Sequence, residues 1–120
     1  RQVNSGKRTI QLGNFDPKRD FIHTSDMAIA ISRLLDKFDS GMDIFNIGRG
    51  IEYSIKEVVR AFEQELDESI TIETDPSRVR KVERMHLLAD ISKLKAYINW
   101  EPQISLNEGI RTLIETKQVA

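Results

Sequence analysis

Two four-residue phrases, Ser54-Ile-Lys-Glu57 and Ser105-Leu-Asn-Glu108, restrict the fold of this chain more than any other feature in it. In each, the serine oxygen can accept from the amide three residues on while the glutamate reaches back to the serine amide, so two orphan donors of a helix start are satisfied together. Apolar residues then recur at intervals of three and four. Ile55, Val58, Val59, Phe62 and Leu66 mark the inward face of the first helix, with Lys56, Gln64 and Glu65 on its wet side. Leu106, Ile110, Leu113 and Ile114 do the same for the second, and the polar end of the chain is expected to fray.

Short strands separate the helices. Ile10 and Leu12 alternate with polar neighbours before Gly13-Asn14, a strand running into a turn. After Pro17, the aromatic and branched content of Asp20-Phe-Ile-His23 predicts a second strand, and Thr24-Ser25-Asp26 supplies N-cap chemistry for a helix whose apolar face is Met27, Ile31, Leu34, Leu35 and Phe38. Ser40-Gly41 stops that helix, and Asp43-Ile-Phe-Asn-Ile47 reads as a buried strand turning at Gly48-Arg-Gly50. Ile70-Thr-Ile-Glu-Thr74 alternates and predicts a strand with one exposed face. Asp90 caps a short helix through Ile91, Leu94 and Ile98, which ends before Trp100-Glu-Pro102 because proline cannot continue it. Strands alternating with about four helices make this an α/β chain.

The run Asp75-Pro-Ser-Arg-Val-Arg-Lys-Val-Glu-Arg-Met-His86 holds three arginines and a lysine against one glutamate. Guanidinium groups match phosphate oxygens with planar, forked donors, while a carboxylate only accepts, so Arg80 and Glu83 suit different parts of one ligand: diphosphate and sugar hydroxyls. The same letters also describe a solvated basic loop.

Composition narrows the classes. At 120 residues, 39% hydrophobic, the chain suits one domain, 1–120. A net charge of -1 gives no whole-molecule attraction to nucleic acid or membrane, and no aromatic platforms accompany Arg78, Arg80, Lys81 and Arg84. The longest apolar run, Met27 to Ile31, is far short of the roughly 20 residues a bilayer span needs. Without cysteine there are no disulfides or thiolate sites, and the expected compartment is the cytoplasm. A chain that opens at Arg1 is expected to be a piece of a longer protein.

Several motifs in order carry a resemblance: Gly13-Asn-Phe-Asp-Pro-Lys-Arg-Asp-Phe-Ile-His-Thr-Ser-Asp26, Phe45-Asn-Ile-Gly-Arg-Gly50 before Ser54-Ile, Arg80-Lys-Val-Glu83, Ala89-Asp-Ile-Ser-Lys93, and Asn99-Trp-Glu-Pro102 leading to Glu108-Gly-Ile110. Together they resemble the C-terminal, substrate-binding half of extended short-chain dehydrogenases/reductases that act on nucleotide sugars. The likeness is greatest to GDP-mannose dehydratases and GDP-deoxyhexose reductases, with UDP-sugar epimerases close behind. It implies that Arg19 and Arg80 contact the diphosphate of a GDP- or UDP-hexose and that Glu83 accepts from its ribose. It also implies NAD or NADP in the full-length enzyme, with none held by this fragment alone. Residues 20–50 would complete the edge of a Rossmann sheet whose N-terminal core lies outside this chain.

The chain departs from the pattern at Lys81, where many relatives have proline, and at Ile98-Asn99-Trp100, where they have Leu-Gly-Trp; asparagine tolerates the left-handed conformation. The family's glycine-rich turn and Tyr-x-x-x-Lys pair do not occur: Tyr53 and Lys56 stand at the wrong interval, and Gly48-Arg-Gly50 lacks a third glycine. No catalytic residue is therefore expected in this chain.

Each residue also has a plainer role open to it. Arg19 can pair with Asp20 or Asp26, Glu83 can neutralise Lys81 and Arg84, and Arg78 can face solvent. His23 and Asp26 lack a third convergent ligand for a metal, so a cap role for Ser25 or Asp26 with His23 packed behind explains them. Trp100 suits a core or turn plug, and Gly48 and Gly50 suit chain reversal, with lining of the cofactor or substrate cleft as the other reading. A non-catalytic binding or assembly module of the same fold is the rival to an enzyme part. Uncovered faces such as Met27, Ile31 and Leu35 would make the isolated chain self-associate.

Overall fold

A computed structural model describes residues 1–116. The helices opened by the two serine phrases are α2 (Ile55–Leu66) and α4 (Leu106–Glu115), and both capping boxes close. Ser54 Oγ accepts from the Glu57 amide at 3.1 Å while Glu57 Oε2 accepts from the Ser54 amide at 2.6 Å. The remaining elements are β1 (Thr9–Leu12), β2 (Lys18–Asp20), α1 (Thr24–Lys37), β3 (Glu52–Ser54), β4 (Thr71–Thr74), β5 (His86–Leu87) and α3 (Ser92–Ile98). The expected fraying falls on residues 117–120, outside the described residues.

The strands form two small sheets. β1 lies parallel to β4, with Ile10 opposite Ile72, while β2 sits between β3, antiparallel, and β5, parallel. Ile10, Val59 and Ile70 bury one cluster between β1, β4 and α2; Ala30, Ile91, Leu94, Ile98 and Trp100 bury another between α1 and α3. A single compact domain of this length has a radius of gyration of about 14 Å. The observed 16.8 Å reflects two separate cores strung along a 49 Å axis.

Local signals survive where no distant partner competes. Asn99 ends α3 in the left-handed region at φ 47°, and Trp100 is buried as a plug behind it. The expected Asp90 cap is displaced by one residue: the N-cap of α3 is Ile91, which offers no side-chain bond, and Asp90 before it closes an Asx turn, its Oδ1 accepting from the Ser92 amide at 3.0 Å. Gly48 is buried because a Cβ there would stand 2.7 Å from both Ala89 and Asp20, and Gly50 turns the chain at φ +80°.

Other expectations are corrected. The second strand is Lys18–Asp20, not 20–23, because β3 and β5 offer partners only up to Asp20, whose carboxylate takes the amides of Arg49 and Gly50 at 2.7 and 2.9 Å. Residues 43–47 form no strand: Phe45 and Ile47 pack on the Ile91–Trp100 cluster, but no neighbouring backbone completes a ladder. β3 and β5 went unread, being three and two residues long.

His23, not Ser25 or Asp26, caps α1: its Nδ1 accepts from the Ser25 amide at 3.1 Å and its Nε2 lies 3.2 Å from Thr112 Oγ1. Asp26 is instead buried, accepting from the amides of Gln103 and Ile104 at 3.1 and 2.9 Å. The face of α1 turned inward is therefore Asp26, Ala30 and Leu34, where a small residue lets α3 approach, and Met27, Ile31 and Leu35 lie on the exposed side. On α4, Leu113 is exposed; on α2, Glu65 is not a wet residue but grips Arg111 of α4 at 2.9 Å.

Candidate functional site

β1 ends by delivering the chain to Gly13 and Asn14, and β4 ends beside it by delivering the arginine loop. The Asp75 amide donates to the Leu12 carbonyl at 2.7 Å, carrying the parallel pairing one step past Thr74. Asp75 then starts a single 3-10 turn over Pro76–Arg78, its Oδ1 accepting from the amide and hydroxyl of Ser77 at 3.0 and 2.6 Å. Those bonds, the hydroxyl first, hold the Asp75 carboxyl below the usual carboxylate range, with Arg78 at 3.2 Å adding to the effect.

Beyond the turn the loop presses against Gly13. A Cβ on that residue would lie 2.3 Å from the Arg78 carbonyl oxygen, so glycine is required for the approach. Asn14 then brackets the next peptide: its Oδ1 accepts from the Arg80 amide at 3.0 Å and its Nδ2 donates to the Arg80 carbonyl at 3.4 Å. Its side-chain amide takes the place of a strand neighbour, offering one donor and one acceptor.

β2 supplies Arg19 from the other side. Arg19 Nη1 donates to the carbonyls of Lys18 and Arg84 at 2.7 and 2.8 Å, and Nη2 pairs with Glu83 Oε1. Three of the five N–H groups of a guanidinium are thereby used, leaving Nε and one Nη2 hydrogen. Arg80 is the opposite case: its side chain is 78% exposed, and its Nε stands 4.0 Å from Glu83 Oε2. Glu83 is largely covered between the two.

The result is an open cleft of about 280 Å³ lined by Gly13, Asn14, Pro17 and Ile55 and by the charged group Arg19, Arg78, Arg80 and Glu83. Among the lining side chains three guanidinium groups stand against one carboxylate; Arg78 is already paired with Asp75 and Arg19 with Glu83, so it is the exposed Arg80 that tips the balance toward an anion. Arg19, Arg80 and Glu83 are thus brought together. Arg19 pairs with neither Asp20 nor Asp26, and Glu83 answers Arg19 rather than Lys81. Gly13 and Asn14 looked only like a turn in the sequence; the available signal was an asparagine directly after a strand, placed to extend it through its side chain.

Among the described residues no three His, Asp or Glu side chains gather as metal ligands, and no helix is long and apolar enough to cross a membrane. At the turn Gly48-Arg-Gly50, Ala89 and Asp20 pack directly beside Gly48, where a Cβ would stand 2.7 Å from each. A larger cavity of about 400 Å³ under α2, lined mostly by apolar side chains such as Val3, Ile10, Val59 and Phe62, has Arg1 as the one cationic side chain in its lining among the described residues.

The chain is 32% identical over 109 residues to GDP-L-fucose synthase 1 of Arabidopsis thaliana, covering 91% of this chain and 32% of that relative. It is 26% identical over 105 residues to GDP-6-deoxy-D-mannose reductase of Pseudomonas aeruginosa, covering 88% of this chain and 34% of that one. Its fold superposes with a TM-score of 0.83 on UDP-glucose 4-epimerase of Bifidobacterium longum in complex with NAD+ and UDP, at 24% identity over 94% of this chain and 36% of that chain. The chain thus spans about a third of the curated relatives it matches. Since residues 1–113 match the GDP-mannose 4,6 dehydratase family, and the α/β architecture matches the C-terminal part of the related solved structures, this chain belongs to that family of extended short-chain dehydrogenases/reductases.

Proposed function

We propose that the cleft between β2 and the arginine loop anchors the diphosphate and ribose of a GDP- or UDP-hexose, as the substrate-binding part of an NAD(P)-dependent epimerase, dehydratase or reductase. The observation that carries this reading is the convergence of Arg19 and Arg80 on one cleft beside Glu83, which lies 64 positions from Arg19 in sequence. Arg19, tethered to two carbonyls, has a fixed direction and offers its remaining donors without further ordering. Arg80 is free to close over a phosphate, where charge-assisted forked bonds are strongest. On ligand binding Glu83 keeps one oxygen for Arg19 and turns the other to the ribose hydroxyls.

Within such an enzyme this chain contributes binding rather than bond making. Energy from the diphosphate, remote from the reacting carbon, fixes where the hexose stands. NAD or NADP supplies hydride chemistry when bound to another part of the enzyme. This chain alone is then catalytically silent. Residues 20–50 meet the missing sheet in the same proposal: Met42 and Ile44, 88% and 69% exposed, lie in a stretch without ladder partners.

Calorimetry with GDP and with UDP tests the anchoring role. Wild type is expected to bind one of them, and Arg80→Ala to weaken that binding about tenfold or more, the worth of a hydrogen bond to a charged group. A folded Arg80→Ala chain that binds as wild type refutes the reading, and a folded wild type that binds neither nucleotide favours the non-catalytic module.

A further inference from the structure

We infer that Asn14 is a positioning residue for Arg80, fixing the height and direction at which that guanidinium enters the anion cleft; this rests on the diphosphate reading above. Arg80 receives little guidance from its own side chain, which is mostly exposed and only 4.0 Å from its nearest carboxylate. Its direction therefore comes from its backbone.

That backbone belongs to no helix or strand, and among the described residues the bonds that tie the Arg80 peptide down come from Asn14, 66 positions away in sequence. The amide accepts from the Arg80 N–H and donates to the Arg80 carbonyl, so the peptide planes on both sides of the Arg80 Cα are each restrained by one bond. Gly13 allows this by letting the Arg78 carbonyl pass at a distance no other residue permits. The Asp75 amide on the Leu12 carbonyl sets the register one turn earlier. Three successive residues of one strand end, Leu12, Gly13 and Asn14, thus hold three points of the loop, and only the last acts directly at the ligand-facing arginine.

A residue that acts through another has a distinctive signature: its effect vanishes when that other is removed. GDP and UDP titrations of wild type, Asn14→Ala, Arg80→Ala and the double variant read this directly, with thermal unfolding of each to record stability. Asn14→Ala is expected to weaken nucleotide binding about fivefold to tenfold, as for one misdirected charged contact, and to change affinity less than about twofold when Arg80 is already alanine. Asn14→Ser, whose hydroxyl is too short to reach both backbone groups, is carried through the same scheme so that the outcome does not depend on one variant's folding. Binding unchanged by either Asn14 substitution, or weakened equally in both backgrounds, overturns the inference. If Arg80→Ala alone leaves binding intact, the diphosphate reading itself fails, a distinct result.

Discussion

Replacing Gly13 by alanine sets two opposed effects against each other. Gly13 does not lie in the left-handed region, so its backbone accepts an L residue. Reduced freedom of the unfolded chain would then stabilise the protein by about 0.4–1 kcal/mol. Against this, the new methyl would stand 2.3 Å from the Arg78 carbonyl oxygen and 2.7 Å from its carbonyl carbon, where 3.4 Å begins ordinary contact. The loop must retreat by about 1.1 Å, the difference between those oxygen distances. What must move is backbone, held by the Asp75–Leu12 bond before it and the Asn14–Arg80 pair after it.

Overpacking of this kind costs about 1–3 kcal/mol, and setting the middle of that range against the middle of the entropic gain leaves a net loss of roughly 1.3 kcal/mol. At roughly 4 °C per kcal/mol for a chain of this size, the unfolding midpoint should fall by about 5 °C. Thermal unfolding followed by circular dichroism, repeated by urea titration, measures this. A midpoint equal to or above that of wild type would mean that the loop does not lie on the end of β1 as described, and the Asn14 clamp would go with it.

Two further outcomes are open to measurement. Glu57 is held below the usual carboxylate range chiefly by the Ser54 amide, Asp75 by Ser77 and Asp90 by Ser92, so all three bind protons more readily unfolded than folded. Their stabilising contribution is complete above the ordinary carboxylate value and declines as pH falls below about 4; the urea midpoint should drop from pH 5 to pH 3, less steeply for Glu57→Gln, and a wild-type midpoint that holds steady contradicts the assignment. The exposed stripe Met27, Ile31 and Leu35 on α1 should make the isolated chain associate in concentration-dependent X-ray scattering, with Leu35→Glu, at a position 76% exposed, restoring the monomer. A wild-type chain that stays monomeric at high concentration contradicts the self-association expected of that face.

Features legible along the chain share one physical origin: the interacting groups are close in sequence. Both capping boxes join residues three apart, the faces of α2 and α4 repeat every three or four, and Asn99 closes α3 through its own dihedral angles. The alternation of Ile70 and Ile72 predicted β4 for the same reason. Arg80 and Glu83 were recognisable as candidates because guanidinium and carboxylate chemistry belongs to the side chain itself, whereas Arg19 was marked only by the family resemblance.

Tertiary structure decided what those groups meet. Nothing local told Glu83 to choose Arg19 over Lys81, Asp26 to hold the amides of Gln103 and Ile104, or His23 to cap α1. Nor did periodicity separate the buried Ala30 stripe of α1 from the more apolar one at Met27, Ile31 and Leu35. Hydrophobic spacing says that a helix has a face to cover, but which face is covered depends on what packs there, and β2 is a strand only as far as β3 and β5 supply hydrogen bonds. The Asn14 clamp is the sharpest case. A Gly-Asn pair spells a turn until a peptide from 66 residues away arrives to use both ends of the amide, and chain closure over that distance is a property of the whole fold.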